Sequence, residues 1–167
     1  LTTPGDFTTF VNGTTDGFDA GDTTVKATIT AGDTPSCLFT NTRHASLDVE
    51  KSTVGDTASF GYTVDGSGLS AFSRNTAVNN PTLNAPFGFD TTEFGDKYVK
   101  ETLLAGWTLT GISCTANDAV IVIGRLTTPG DFTTFVNGTT DGFDAGDTTV
   151  KATITAGDTP SCLFTNT

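Results

Sequence analysis

The chain contains no methionine, and only one tryptophan, two tyrosines and one histidine among its 167 residues. Without methionine it does not begin at a translation start, so the expectation is a window of a longer polypeptide whose export and anchoring signals lie elsewhere. No apolar run approaches membrane-spanning length. Basic residues are scarce: 8 Lys and Arg stand against 19 Asp and Glu, for a net charge of −11 and a pI near 4.1. Such a surface repels nucleic acid and anionic lipid, so neither is expected as a partner. Its simplest use is solubility for a surface-displayed protein. Apolar residues are only 35% of the chain. The long Leu/Ala/Glu/Lys stretches that build helical bundles are missing. What is plentiful is threonine, glycine and phenylalanine, the last in thirteen copies. β-Branched and aromatic side chains fit a half-buried pleated surface. The profile therefore suits a sandwich of short strands with threonine on the wet face.

Residues 1–42 recur letter for letter as residues 126–167, an offset of 125 residues. A duplication of that length implies tandem repeats of domain size rather than short solenoid turns. Residues 43–167 then form one complete copy, and residues 1–42 the C-terminal part of the preceding one. The same register accounts for an odd cysteine count. Cys37 is the equivalent of Cys162 one repeat earlier, and its partner would be the preceding copy's equivalent of Cys114. Two cysteines per repeat are expected, paired as Cys114–Cys162 and contributing about 4 kcal/mol by loop closure, less any strain. Two buried free thiols are the alternative.

Alternating apolar residues between turn signals mark the strands. Leu47, Val49 and Lys51 share a face, as do Phe60, Tyr62 and Val64. Val99, Glu101 and Leu103 alternate next, and Trp107 leads into Ile112 and Cys114. Val120–Ile123, an unbroken apolar run, is expected as a central strand. Val150, Ala152 and Ile154 alternate with polar neighbours, and Cys162, Phe164 and Asn166 share the last face. About seven short strands and no helix-length pattern indicate an all-β, antiparallel sandwich.

Three of these strands carry a polar residue where alternation calls for a core residue: Lys51, Glu101 and Asn166. Burying an unpaired ammonium, carboxylate or amide is costly. Each alone would more simply lie at a strand end and turn to solvent. Three together point to a shared site.

Lys51 in Leu47-Asp48-Val49-Glu50-Lys51, Tyr98-Val99-Lys100-Glu101 followed by Ala105-Gly106-Trp107, and Asn166 in Phe164-Thr165-Asn166 carry a resemblance. Together they resemble the Cna-B/SpaA-type repeats of bacterial surface proteins and pilins, with an Ig-like, prealbumin-like fold. Members of that family can form an autocatalytic Lys–Asn isopeptide bond assisted by a Glu. The resemblance implies Lys51 as nucleophile, Asn166 as electrophile and Glu101 as proton shuttle. Apolar surroundings favour the neutral forms of an amine and an acid, as such a reaction needs. The chain departs from the family pattern at Leu104, where a proline often precedes the turn, and at 125–147, which looks like an insertion.

Weaker signals remain. Asp141, Asp144 and Asp147, with Asp131 nearby, space carboxylates in a Gly-rich loop that could suit calcium, although EF-hand spacing is not met. A solvated turn is the plainer reading. Asn12 and Asn137 fit the N-glycosylation pattern. His44 and Arg43 sit at the short inter-repeat junction, which lacks Gly and Pro, so a fairly stiff rod is expected. No cofactor site is expected, nor an enzyme beyond one self-consuming turnover. The function expected is a structural repeat of an extracellular or cell-surface filament, pilus-like fibre or adhesin stalk. Its partners would be neighbouring identical repeats. The alternative is a binding module whose loops recognise a host, glycan or mineral surface. Strands within residues 1–42 are expected to pair inside the preceding copy; the alternative is that part of 1–42 completes the sheet of the next repeat as donor strands.

Overall fold

The computed structural model describes residues 10–11, 17–19, 21–83, 85–139 and 142–167. Two compact units divide the chain, Leu1–Asn41 and Thr42–Thr167. In the first, the described residues form turns and irregular backbone, and most are exposed.

The second unit is a β-sandwich. Its strands are β1 (Ala45–Thr53), β2 (Ser59–Asp65), β3 (Phe72–Asn75), β4 (Phe87–Phe89), β5 (Gly95–Glu101), β6 (Leu109–Thr115), β7 (Val120–Leu126), β8 (Phe135–Asn137), β9 (Thr149–Ile154) and β10 (Ser161–Asn166). One sheet has the order β4-β1-β10-β6, the other β3-β2-β5-β9-β7-β8. The only helical turn among the described residues is a short 3-10 helix, Phe132–Thr134, capped by the Asp131 carboxylate. No helix of the described residues is long and apolar enough to cross a membrane.

Alternation places the core. Leu47 and Val49 from β1, Phe60 from β2, Val99 from β5, Ile154 from β9 and Phe164 from β10 are all at most 1% exposed. They meet between the sheets, where stacked pleated faces exclude water and supply most of the driving force. Aromatic edges lock the layer: Phe60 meets Trp107 with centroids 5.4 Å apart, and Tyr62 meets Phe164 at 5.3 Å.

Several details differ from the alternation pattern. The sandwich is not wholly antiparallel, because β1 and β10 pair in parallel, Asp48 opposite Ser161 through Thr53 opposite Asn166. Parallel neighbours need a long crossover, and here the rest of the domain provides it. β5 stops at Glu101, whose N–H donates to the Thr148 carbonyl, so Leu103 lies beyond the strand and is 58% exposed. β7 is not central: it lies between β9 and the three-residue β8, and Val120 is 63% exposed. β3, β4 and β8 are too short to show a period in sequence. Within 125–147, residues 125–139 leave along β7 and pass through the 3-10 helix and β8, and residues 142–147 lead into β9. Phe132 and Phe135 anchor this excursion against Tyr98, at 5.9 and 5.7 Å between centroids. Without a proline, the turn at Leu104 still closes, with Trp107 N–H on the Leu104 carbonyl at 3.1 Å.

Candidate functional site

Lys51, Glu101 and Asn166 come from three strands and two sheets, and all three are 0% exposed. Lys51 is the fourth inward position of β1, after Ala45, Leu47 and Val49. Asn166 ends the inward row of β10, and Glu101 ends that of β5. Because β10 runs beside β1, the first and last strands bring an amine and an amide together. β5 supplies the carboxylate from across the sandwich.

The three groups form a closed triangle. Lys51 Nζ donates to Glu101 Oε2 at 2.7 Å and to Asn166 Oδ1 at 2.5 Å, and Asn166 Nδ2 donates to Glu101 Oε1 at 2.7 Å. The walls are aromatic. Lys51 Nζ stands 4.3 Å above the Phe60 ring, and the Tyr62 hydroxyl donates to Glu101 Oε2 at 3.4 Å. Burial pushes the Lys51 ammonium below its ordinary pKa, although the Glu101 hydrogen bond and charge pull the other way. Burial, reinforced by the Glu101 carboxylate, holds the Tyr62 hydroxyl well above its ordinary value, so it remains a neutral donor.

This arrangement orders the atoms for one kind of chemistry. The amine faces the amide carbonyl, while one carboxylate touches both the amine and the amide nitrogen. A proton leaving Lys51 can reach Asn166 Nδ2 through Glu101 without passing through water. Positioned groups at hydrogen-bond distance are the geometric requirement for acid–base assistance.

Tyr62 and Phe60 complete the site although the sequence pattern marked them only as core. The register shows why they belong, since Tyr62 is the cross-strand neighbour of Glu101. Thr82 is another addition. Its hydroxyl accepts from the Lys51 backbone N–H at 3.0 Å and closes the outer side of β1 there.

A second link lies in the same sheet. Cys114 on β6 and Cys162 on β10 are directly opposed and joined as a disulfide, with Cα atoms 4.1 Å apart. Cys37 in the first unit is exposed and free.

The remaining candidates are placed as follows. Asp144 and Asp147 cap the turn before β9: the Asp144 N–H donates to Asp147 Oδ2 at 2.9 Å, and Asp144 Oδ2 accepts from the Thr139 N–H and hydroxyl. Asp131 caps the 3-10 helix. Asp141 lies outside the described residues. Among the described residues no three His, Cys, Asp or Glu side chains cluster closely enough to hold a metal ion. Asn137 is exposed at the end of β8, and Asn12 lies outside the described residues. Arg43 and His44 lead into β1, and Arg43 packs near Gly157.

Two sheets closed over a buried Lys–Glu–Asn triangle define a prealbumin-like sandwich domain. The chain belongs to the SpaA-type prealbumin-like fold domain family, whose sequence profile matches residues 47–167. The match includes all three residues of the triangle and both disulfide cysteines. Neither the curated proteins nor the solved structures gave a match to the chain.

Proposed function

We propose that the domain is a tension-carrying structural repeat of an extracellular filament, pilus-like fibre or stalk, closed on itself by a Lys51–Asn166 amide. The observation that carries this reading is the buried triangle between the first and last strands. Lys51 Nζ attacks Asn166 Cγ, the C–Nδ2 bond breaks, and Glu101 passes the lysine proton to the departing nitrogen. The products are one secondary amide and one ammonia. The reaction occurs once and consumes its own site, so the domain is its only substrate.

The topology supports a mechanical role. Chain enters at the start of β1 and leaves at the end of β10, so tension shears two parallel strands along their whole length. An amide between them routes force from residues 43–51 across to Asn166, and residues 52–165 carry none of it. The acidic, threonine-rich surface and the disulfide fit an oxidising, extracellular setting. The 125-residue duplication supports an array of such beads, with neighbouring identical copies as partners.

Intact mass of the folded chain tests the reading. The expected result is a deficit of one ammonia, with the peptides bearing Lys51 and Asn166 joined, and no deficit in Glu101→Ala. A full mass in folded, disulfide-bonded protein would overturn it.

A further inference from the structure

β1 has a strand partner along one edge from Asp48 to its end, but along only the start of the other. On the β10 side, Asp48 N–H donates to the Pro160 carbonyl and Val54 N–H to the Asn166 carbonyl, both at 2.9 Å. On the opposite side β4 covers only Ala45–Leu47. Beyond Leu47 no strand of the described residues lies beside that edge. Backbone groups on an uncovered edge must find other partners. Here Asn80, Thr82 and Ala85 supply them, from a segment that runs antiparallel to β1 as β4 does but is not itself a strand.

The bonds fall on alternate residues, those whose side chains enter the core. The Val49 carbonyl accepts from Arg74 Nε at 2.7 Å. Lys51 is held by both of its backbone groups. Its N–H donates to Thr82 Oγ1 at 3.0 Å, and its carbonyl accepts from the Thr82 N–H at 2.8 Å. Thr53 is held likewise, by a single side chain: Asn80 Oδ1 accepts from its N–H at 2.9 Å, and Asn80 Nδ2 donates to its carbonyl at 2.7 Å. The Asn80 amide thus bonds as the backbone of a neighbouring strand would. The far end of the segment is fastened at Ala85, whose N–H donates to Asp48 Oδ1 at 3.2 Å and whose carbonyl accepts from Arg74 Nη2 at 3.1 Å. Thr53 and Thr82 are buried, so water does not compete for these bonds. Register gives the clasp its importance. Lys51 stands opposite Phe164, and Asn166 stands opposite Thr53. The amine therefore reaches two residues along β10, about 6.6 Å, and its approach depends on where the Lys51 main chain is held. A misplacement of about 1 Å between reacting groups can cost roughly 100-fold in rate.

We propose that Asn80 and Thr82 are positioning residues for the Lys51–Asn166 amide, clasping the open edge of β1 so that the Lys51 amine is held against the Asn166 carbonyl. The reaction they serve rests on the reading above. The clasp itself consists of bonds that involve neither Glu101 nor the Asn166 side chain. Neither residue touches the reacting atoms, and neither moves a proton. Lys51 is gripped at both ends, its backbone by Thr82 and its amine by the Glu101–Asn166 pair. Without the clasp β1 keeps its bonds to β10, so the sandwich still forms, but the end of the strand that bears Lys51 is held on one side only.

The test refolds the full chain and follows joined Lys51 and Asn166 peptides by mass spectrometry over time. Asn80→Ala and Thr82→Val should each slow amide formation about 10- to 100-fold, whereas Thr82→Ser, which keeps the hydroxyl, should restore the rate. Asn80→Asp keeps the acceptor for the Thr53 N–H and should fall between Asn80→Ala and wild type. Ile154→Val is the control for stability alone. It loosens the core beside Gly95, six residues along β5 from Glu101, and should leave the rate unchanged. Unchanged rates in folded clasp variants would overturn the proposal, and so would equal slowing by Ile154→Val. A second readout does not need the amide. Lys51 Nζ lies 4.3 Å from the Phe60 ring centre, so that ring should shift the Lys51 ε-methylene protons upfield in NMR spectra. The comparison is made in Asn166→Ala chain, which cannot form the amide and keeps the Lys51–Glu101 contact. Adding Thr82→Val or Asn80→Ala should diminish the shift, and adding Ile154→Val should not. A shift indifferent to the clasp variants would overturn the proposal. If wild type forms no amide, the reading above falls, and the same NMR comparison decides whether the clasp places Lys51.

Discussion

Lys51 Nζ lies 2.5 Å from Asn166 Oδ1 although 115 residues separate them along the chain. The contact exists because β10 returns beside β1 in parallel, so the whole domain is the loop that closes it. A covalent bond there closes almost the whole sandwich, and its removal exposes how much stability that closure supplies.

Asn166→Ala should therefore lower the unfolding free energy by roughly 5 kcal/mol if the amide is in place, since closing a loop of this length removes that much chain entropy. Equilibrium urea unfolding of folded wild type and variant checks this. A loss near 1–3 kcal/mol would instead match removal of one buried hydrogen-bonding group.

Identical residues should respond differently in the two copies. Phe164→Ala should cost about 3–5 kcal/mol because it empties a core position, and Cys162→Ser up to about 4 kcal/mol through the lost disulfide. Phe39→Ala and Cys37→Ser, in the exposed copy, should stay within about 0.5 kcal/mol in dilute monomer. Urea midpoints of the four single variants decide it.

Lys97 gives a pH signature. It is 1% exposed, its Nζ donates to the Glu93 carbonyl, and it lies 5.0 Å from the Phe89 ring centre. Burial pushes its pKa below the ordinary 10.5, against the opposing pull of Glu93 and Asp96. The folded lysine thus releases its proton before the unfolded one. Between the two pKa values the unfolded chain binds more protons, and stability rises with pH. Lys97→Met should flatten that rise. Tyr62 acts oppositely: its pKa is raised, so stability falls above the tyrosine's ordinary 10.0 in both proteins. The difference between variant and wild type, followed by urea midpoints across alkaline pH, isolates Lys97.

Gly124 on β7 leaves no room for a side chain, since a Cβ there would lie 2.0 Å from the Val136 carbonyl oxygen. Gly124→Ala should push β8 away at a cost of about 1–3 kcal/mol. Hydrogen exchange should show faster amides at 135–138 and unchanged protection in β1 and β10. Gly111→Ala is the control, with Thr165 Cβ at an ordinary 3.9 Å.

The sandwich was legible wherever apolar residues alternate for five positions or more, as in β1, β2, β9 and β10. It was not legible at β3, β4 and β8, where three or four residues cannot establish a period. Val120–Ile123 misled because an unbroken apolar run suits a strand covered on both faces, and Val120 instead faces solvent near the sheet edge. Lys51, Glu101 and Asn166 stood out as polar residues on apolar faces. Tyr62 and Phe60 did not, because an aromatic residue in a core row gives no sign of the atom it touches.

The duplicated segment separates what is local from what is not. In both copies an aspartate caps the same turns: Asp22 Oδ2 accepts from Asp19 N–H at 2.9 Å, and Asp147 Oδ2 from Asp144 N–H at 2.9 Å. Asp33 N–H reaches the Thr30 carbonyl at 3.1 Å, and Asp158 N–H that of Thr155 at 3.2 Å. These bonds span three residues, so the sequence alone determines them. The strands do not follow from the same letters. β9 and β10 exist because β5, β7, β1 and β6 satisfy their backbone groups and cover their apolar faces, and among the described residues none pairs as a strand with 24–29 or 36–41. A turn closes within its own segment; a strand needs partners that only the folded domain, or another copy of it, brings.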